Sequence, residues 1–91
     1  MKFVYPAVIH KNENGTFEAV VPDLAECRAS GETFEDTVDN ANAAVYDWIY
    51  LELSEEGTLP PISDPEDLPR GPEDQIRNIC VNVVLTDGYD E

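Results

Sequence analysis

From Lys2 to His10 the chain alternates in the manner of a β-strand: Phe3, Tyr5, Ala7 and Ile9 point one way, and Val4, Pro6 and Val8 the other. Pro6 has no N–H to give a ladder, so this strand has at least one unpaired position. Lys11 to Gly15 is a turn, with Asn14-Gly15 supplying the positive φ angles of a hairpin. A second strand follows over Thr16–Val21, with Phe17, Ala19 and Val21 on one face. Pro22-Asp23-Leu24 turns the chain again, and a short third strand is predicted from Glu26 to Ser30 around Cys27.

The period then changes from two to about 3.6. Phe34, Val38, Ala41, Val45, Trp48 and Ile49 form one stripe at i, i+3, i+4 spacing, the mark of a helix packed on a sheet. Thr33-Phe34-Glu35-Asp36 resembles a capping box, and Glu35 and Asp36 suit the positive end of the helix dipole. The helix is predicted to run to about Ser54, with Gly57 as its stop and Trp48 buried between helix and sheet. Asp36, Asp39 and Asp47 fall on the opposite side. A second apolar line, Tyr46, Tyr50 and Leu53, lies about 120° around from the stripe. Either the following loop folds back over it or another chain does; the ease with which tyrosine rings stack on prolines favours the loop.

Residues 57–75 hold five of the seven prolines and the acids Asp64, Glu66, Asp67, Glu73 and Asp74, with Glu56 just before. That is a linker composition, yet a structureless loop of this length is unusual inside a compact domain. It is expected to drape over the helix or to stay partly mobile. Ile76–Thr86 resumes a strand whose dense Val and Ile content fits a central position, covered on both faces. The tail 87–91 is expected to fray. The order is β-β-β-α-β in one α+β domain spanning residues 1–91: an antiparallel meander, a helix over the sheet, and a last strand able to enter parallel to its neighbour by a right-handed connection.

Size and charge narrow the function classes. A chain of 91 residues buries only about 60–65% of its unfolded surface, so its core is thin and self-association would help it. Twenty acids against five bases give a net charge of −15. Nucleic-acid affinity comes mostly from Lys and Arg neutralising phosphates, so direct binding of DNA or RNA is not expected. Such a surface either serves solubility or speeds encounter with a basic protein. No apolar run is long enough to span a membrane, and Met1–Pro6 lacks the features of a signal peptide, so a cytoplasmic location is expected. Cys27 and Cys80 follow no metal or redox spacing and read as buried free thiols.

Little catalytic chemistry is legible. A two-metal nuclease needs carboxylates converging on central strands, and neither Lys2–His10 nor Ile79–Thr86 contains an acid. His10 is the only histidine and reads as exposed and incidental. A Cys27–His10 nucleophile pair has no orienting acid at a recognisable spacing. Cys27, Cys80 and His10 make no metal motif, and the glycines are isolated, so no cofactor, no metal and no enzyme activity are expected.

Six pieces of sequence stand in register with a known family. They are Tyr5-Pro6-Ala7 with Ile9, Gly15-x-Phe17, Pro22-Asp23-Leu24 followed by Cys27, Gly31-Glu32-Thr33, helical Ala41 and Ala44, and Leu59-Pro60. Together these resemble the HicB family of antitoxins, strongly over residues 3–62 and weakly in the last strand. The resemblance implies a partial ribonuclease-H-like fold made of a three-stranded meander, a helix and a fourth strand. It implies binding to HicA, a small basic ribonuclease toxin with a double-stranded-RNA-binding-like fold. Many family members add a C-terminal DNA-binding domain for autorepression. No helix-turn-helix or ribbon-helix-helix pattern follows the last strand here, so none is expected. Glu26 stands where the family often has Gly, and Thr37 where Ala is frequent; neither is expected to disturb the fold.

Two readings of function follow. The first is an antitoxin that inhibits a HicA-like toxin by covering its RNA-binding or active surface. The second is a stand-alone HicB-like interaction module without a toxin. A homodimer or higher homo-oligomer is expected, given the thin core and an open sheet edge. The partner-binding candidates are Asp23 and Glu26 beside the turn, the acids of the proline-rich loop, and Tyr46, Tyr50 and Leu53 on the helix.

Overall fold

The computed structural model describes residues 2–55, 57, 59–68 and 71–83. Its elements are β1 (Lys2–Lys11), β2 (Phe17–Val20), β3 (Arg28–Gly31), α1 (Phe34–Ser54), a short 3-10 helix (Pro65–Asp67) and β4 (Gln75–Asn82). Glu56, the expected continuation of the last strand to Thr86, and the tail 87–91 lie outside the described residues.

The strands form one antiparallel sheet in the order β3-β2-β1-β4. Asn12, Glu13, Asn14 and Gly15 make the first turn, closed by Gly15 N–H donating to the Asn12 carbonyl at 3.0 Å. Of the Asn14-Gly15 pair only Gly15 takes a positive φ, at 92°, as in a type I turn ending in a glycine bulge. Asn14 remains in the ordinary region and uses its side chain instead, accepting from both the N–H and the hydroxyl of Thr16.

Two expectations for the last strand fail. β4 is antiparallel to β1, from Ile9↔Gln75 to Lys2↔Asn82, and it lies at the end of the strand order rather than in the middle. The proline-rich segment explains the direction. β3 ends beside the last residues of β1, α1 starts there, and its 21 residues carry the chain about 30 Å to the far end. A strand entered at that point would run parallel to β1. The segment after α1 makes a second crossing first and returns the chain to the Ile9 end. The β4 composition also misled: only Ile79 and Val81 of the strand, with Val83 beyond it, are fully buried, while Arg77, Asn78, Cys80 and Asn82 face solvent.

The core lies between the sheet and α1. Tyr5, Ala7 and Ile9 of β1, Ala19, Val21, Leu24 and Cys27, Ile79 and Val81 meet Ala41, Val45 and Ile49 of the helix. Thr37, Ala41, Val45 and Ile49 form the seam at i, i+4 spacing. Thr37 is fully buried because its hydroxyl donates to the Thr33 carbonyl at 2.8 Å, leaving no unpaired polar group. Trp48 is only half-buried, at the edge of the stripe rather than between the layers. Its indole N–H donates to the Ala25 carbonyl at 3.0 Å.

Thr33 caps α1 by accepting from the Asp36 N–H at 3.0 Å. Gly31 lets the first helical turn press on the end of β3: a Cβ there would stand 2.8 Å from the Thr37 backbone nitrogen. Asn40 ties the same corner by donating to the Ser30 carbonyl. At its other end α1 closes with Gly57 N–H donating to the Glu52 carbonyl at 2.8 Å, the 6→1 bond of a Schellman-type stop.

Candidate functional site

Three surfaces hold the candidate residues. The first is the corner between β2 and β3. Val21, Pro22, Asp23 and Leu24 form a tight turn, closed by Leu24 N–H on the Val21 carbonyl and Cys27 N–H on the Leu24 carbonyl. Arg28, not Glu26, begins β3, so the third strand starts two residues later than expected. Glu26 is instead in the turn at φ 60°, the left-handed region that glycine enters freely and other residues enter at a cost. The fold is undisturbed by a glutamate there, as expected, although the residue holds a strained backbone. Burial raises the Cys27 thiol, so this cysteine stays protonated within the core, whereas Cys80 is exposed, against expectation, because it points to the face of β4 opposite Ile79 and Val81.

The second surface is the proline-rich segment, which is pinned and not free. Asp23 accepts from the Ser63 N–H at 2.7 Å and from its hydroxyl at 2.6 Å. Beside it the Tyr5 hydroxyl donates to the Pro60 carbonyl at 2.7 Å. Burial, helped by the Asp23 charge, holds the Tyr5 phenol above its ordinary pKa. At the far end His10 Nδ1 and Asp74 Oδ1 stand 2.7 Å apart, and Asp74 Oδ2 accepts from the Gly71 N–H. The Asp74 carboxylate raises the His10 pKa, and its bonds to Gly71 and His10 lower its own. His10 is thus not incidental: it anchors the segment where it enters β4. Pro6 and His10 point to the face of β1 that α1 does not cover. Pro6 is nevertheless fully buried and His10 meets Asp74, so the segment approaches β4 on that side.

The third surface is the outer side of α1. Tyr46 and Tyr50 stack with ring centroids 6.0 Å apart and remain 37% and 42% exposed. Among the described residues, the hydrogen bonds that join the proline-rich segment to the sheet and the β2–β3 corner go to Tyr5, Asp23 and His10, and none goes to either tyrosine of the pair. Leu53 turns toward the core, leaving the tyrosine line at its end. Leu51, which the sequence did not single out, is 59% exposed on the flank of the helix away from the tyrosines. A shallow groove separates α1 from the β2–β3 corner, lined by Glu26, Arg28, Ala44, Asp47, Trp48 and Leu51. Of the candidates, then, Glu26 lies near the helix face while Asp23 is turned away into the Ser63 contact.

The sequence matches the model of the HicB-like antitoxin of bacterial toxin–antitoxin systems over residues 5–87. The chain belongs to the HicB-like antitoxin family. Solved structures agree with this on the fold. The N-terminal domain of the Burkholderia pseudomallei antitoxin HicB is 22% identical, with a TM-score of 0.74 over 91% of this chain and 100% of that one. A toxin–antitoxin complex from Streptococcus pneumoniae contains a similar chain, 16% identical, with a TM-score of 0.82 over 100% of this chain and 79% of that one. A HicA3 and HicB3 toxin–antitoxin complex contains another, 28% identical, with a TM-score of 0.64 over 91% of this chain and 100% of that one. No curated protein matches the sequence. The α+β fold with one helix on a four-stranded sheet is thus the fold of HicB antitoxin domains, as the sequence motifs implied. Among the described residues no helix is long and apolar enough to cross a membrane, and no cluster of His, Cys, Asp or Glu is arranged to hold a metal ion.

Proposed function

We propose that this HicB-like chain is the antitoxin of a small basic ribonuclease of the HicA type, and that it silences the toxin by covering its RNA-binding or active surface. The observation that carries this reading is the family match over residues 5–87, joined to a 28%-identical relative that is part of a HicA3–HicB3 complex. The charge of −15 supports it: a protein surface built to attract RNA phosphates also attracts a carboxylate-rich surface. The chain acts by binding, without catalysis and without direct contact to nucleic acid, as one cytoplasmic domain that assembles into a homodimer or larger homo-oligomer.

Co-expression tests this role. A small basic HicA-type protein, sought among the products of neighbouring genes, is induced alone and together with the chain, and growth is followed. Arrest by the neighbour and recovery on co-expression are expected. Arrest that the chain fails to relieve, or no toxic neighbour at all, favours the stand-alone interaction module instead.

A further inference from the structure

We infer that the side of α1 carrying the stacked Tyr46–Tyr50 pair, flanked by Asp39 and Asp47, is the surface that receives the toxin, and that it takes an arginine- or lysine-bearing segment of that protein. The inference rests on the antitoxin reading and adds the place and chemistry of contact.

The acids differ in how far they are already engaged within the chain. Asp23 is occupied by Ser63. Asp64 caps the 3-10 helix by accepting from the Glu66 N–H at 3.0 Å. Asp74 is shared between His10 and Gly71. Among the described residues the one ion pair joins His10 and Asp74, and no hydrogen bond or ion pair engages the carboxylates of Asp36, Asp39 or Asp47. These three lie on the outer side of α1 with the exposed tyrosine pair.

Aromatic faces beside unpaired carboxylates suit one kind of guest. A guanidinium stacks on a tyrosine ring and pairs with a carboxylate at its edge, and it loses less hydration than an ammonium in doing so. Asp39 lies two turns before Tyr46 on the same side of the helix and Asp47 one turn before Tyr50, so each ring has a carboxylate on its flank. A second copy of this chain suits the surface poorly. It would set Asp36, Asp39 and Asp47 against another acidic surface with few cations to answer them, and like charges brought together are repelled.

The test measures binding of the purified HicA-type protein to three variants of the full chain. Tyr46→Ser with Tyr50→Ser, and separately Asp47→Lys, are each expected to weaken binding about tenfold or more, as loss of a central contact does. D47K is also expected to flatten the fall of the association rate with added salt. Asp64→Asn, Glu66→Gln and Asp67→Asn combined should change affinity less than about twofold, since rim charges contribute little. All substituted side chains are exposed, and a thermal melt of each confirms that it folds; should the tyrosine variant unfold, D47K decides alone. Wild-type affinity in D47K and in the folded tyrosine variant overturns the assignment while leaving the antitoxin reading in place. A wild-type chain that does not bind the HicA-type protein overturns both. Sedimentation in which the helix variants turn an oligomeric wild type into monomers overturns it in favour of a second copy.

Discussion

Asp23 and Ser63, forty residues apart, are joined by both oxygens of one carboxylate, at 2.7 Å to the serine N–H and 2.6 Å to its hydroxyl. This pair converts a linker-like sequence into a fixed strap. Asp23→Ala should cost about 1–2 kcal/mol, as loss of part-buried bonds to a charged acceptor does. It should also open the segment near Ser63 to protease before the rest of the chain. Urea unfolding and timed proteolysis check this. Unchanged stability with unchanged cleavage would show that the strap is held by other contacts. Toxin affinity should move little, because this carboxylate is spent inside the chain.

Glu26 sits at φ 60°. A left-handed backbone costs a non-glycine residue about 1–2 kcal/mol, and glycine gives back part of that through its freer unfolded chain. Glu26→Gly should therefore raise stability by about 0.5–1 kcal/mol, read as a higher urea midpoint with unchanged slope. A lower midpoint would mean that the glutamate side chain contributes more than its backbone loses.

The His10–Asp74 pair ties stability to pH. The folded His10 pKa lies above its unfolded value near 6.5, so its contribution is complete below that pH and is lost as pH rises through the folded value. The folded Asp74 pKa lies below 3.8, so its contribution is present above that value and is lost as pH falls through the folded one. The pair therefore helps most between about pH 4 and 6.5. Melting curves from pH 5 to 8 should show a decline on the alkaline side that His10→Gln removes. The same decline in the variant would assign it to another group.

Core and edge of the helix should separate cleanly. Ile49 is fully buried, and Ile49→Ala should cost about 2–5 kcal/mol. Trp48 is half-exposed with one hydrogen bond to Ala25, so Trp48→Ala should cost less, about 1–3 kcal/mol. Denaturant unfolding of both decides the order, and a larger loss for Trp48 would place the indole deeper than the Ala25 contact does.

The elements themselves were legible in the sequence because each rests on local chemistry. Phe3, Tyr5, Ala7 and Ile9 alternate, Thr33 caps, and Ala41, Val45 and Ile49 repeat at the helical period. What escaped depends on contacts far apart in the chain. Nothing in the spacing of Asp23 and Ser63, or of His10 and Asp74, announces that they meet. Once they do, the strap returns the chain to the Ile9 end of β1, β4 enters antiparallel, and Tyr46 and Tyr50 stay partly exposed. The dense Val and Ile of the last strand concealed an edge, since period-two burial of Ile79 and Val81 leaves Asn78, Cys80 and Asn82 outside. Among the candidate residues, Tyr46 and Tyr50 share one side of α1, and Glu26 borders the groove at Trp48 on the other flank. Asp23 and Leu53 face inward to contacts of their own.

The central claim, that this chain silences a basic ribonuclease by binding it, is tested most directly by RNA cleavage in vitro. A purified HicA-type protein from the same organism is incubated with RNA while the chain is added in increasing amounts. The account predicts that cleavage stops near stoichiometric addition and returns as salt rises well above about 0.15 M, where charge attraction is screened within about 8 Å. Cleavage that continues at full rate under a large excess of folded chain would contradict it.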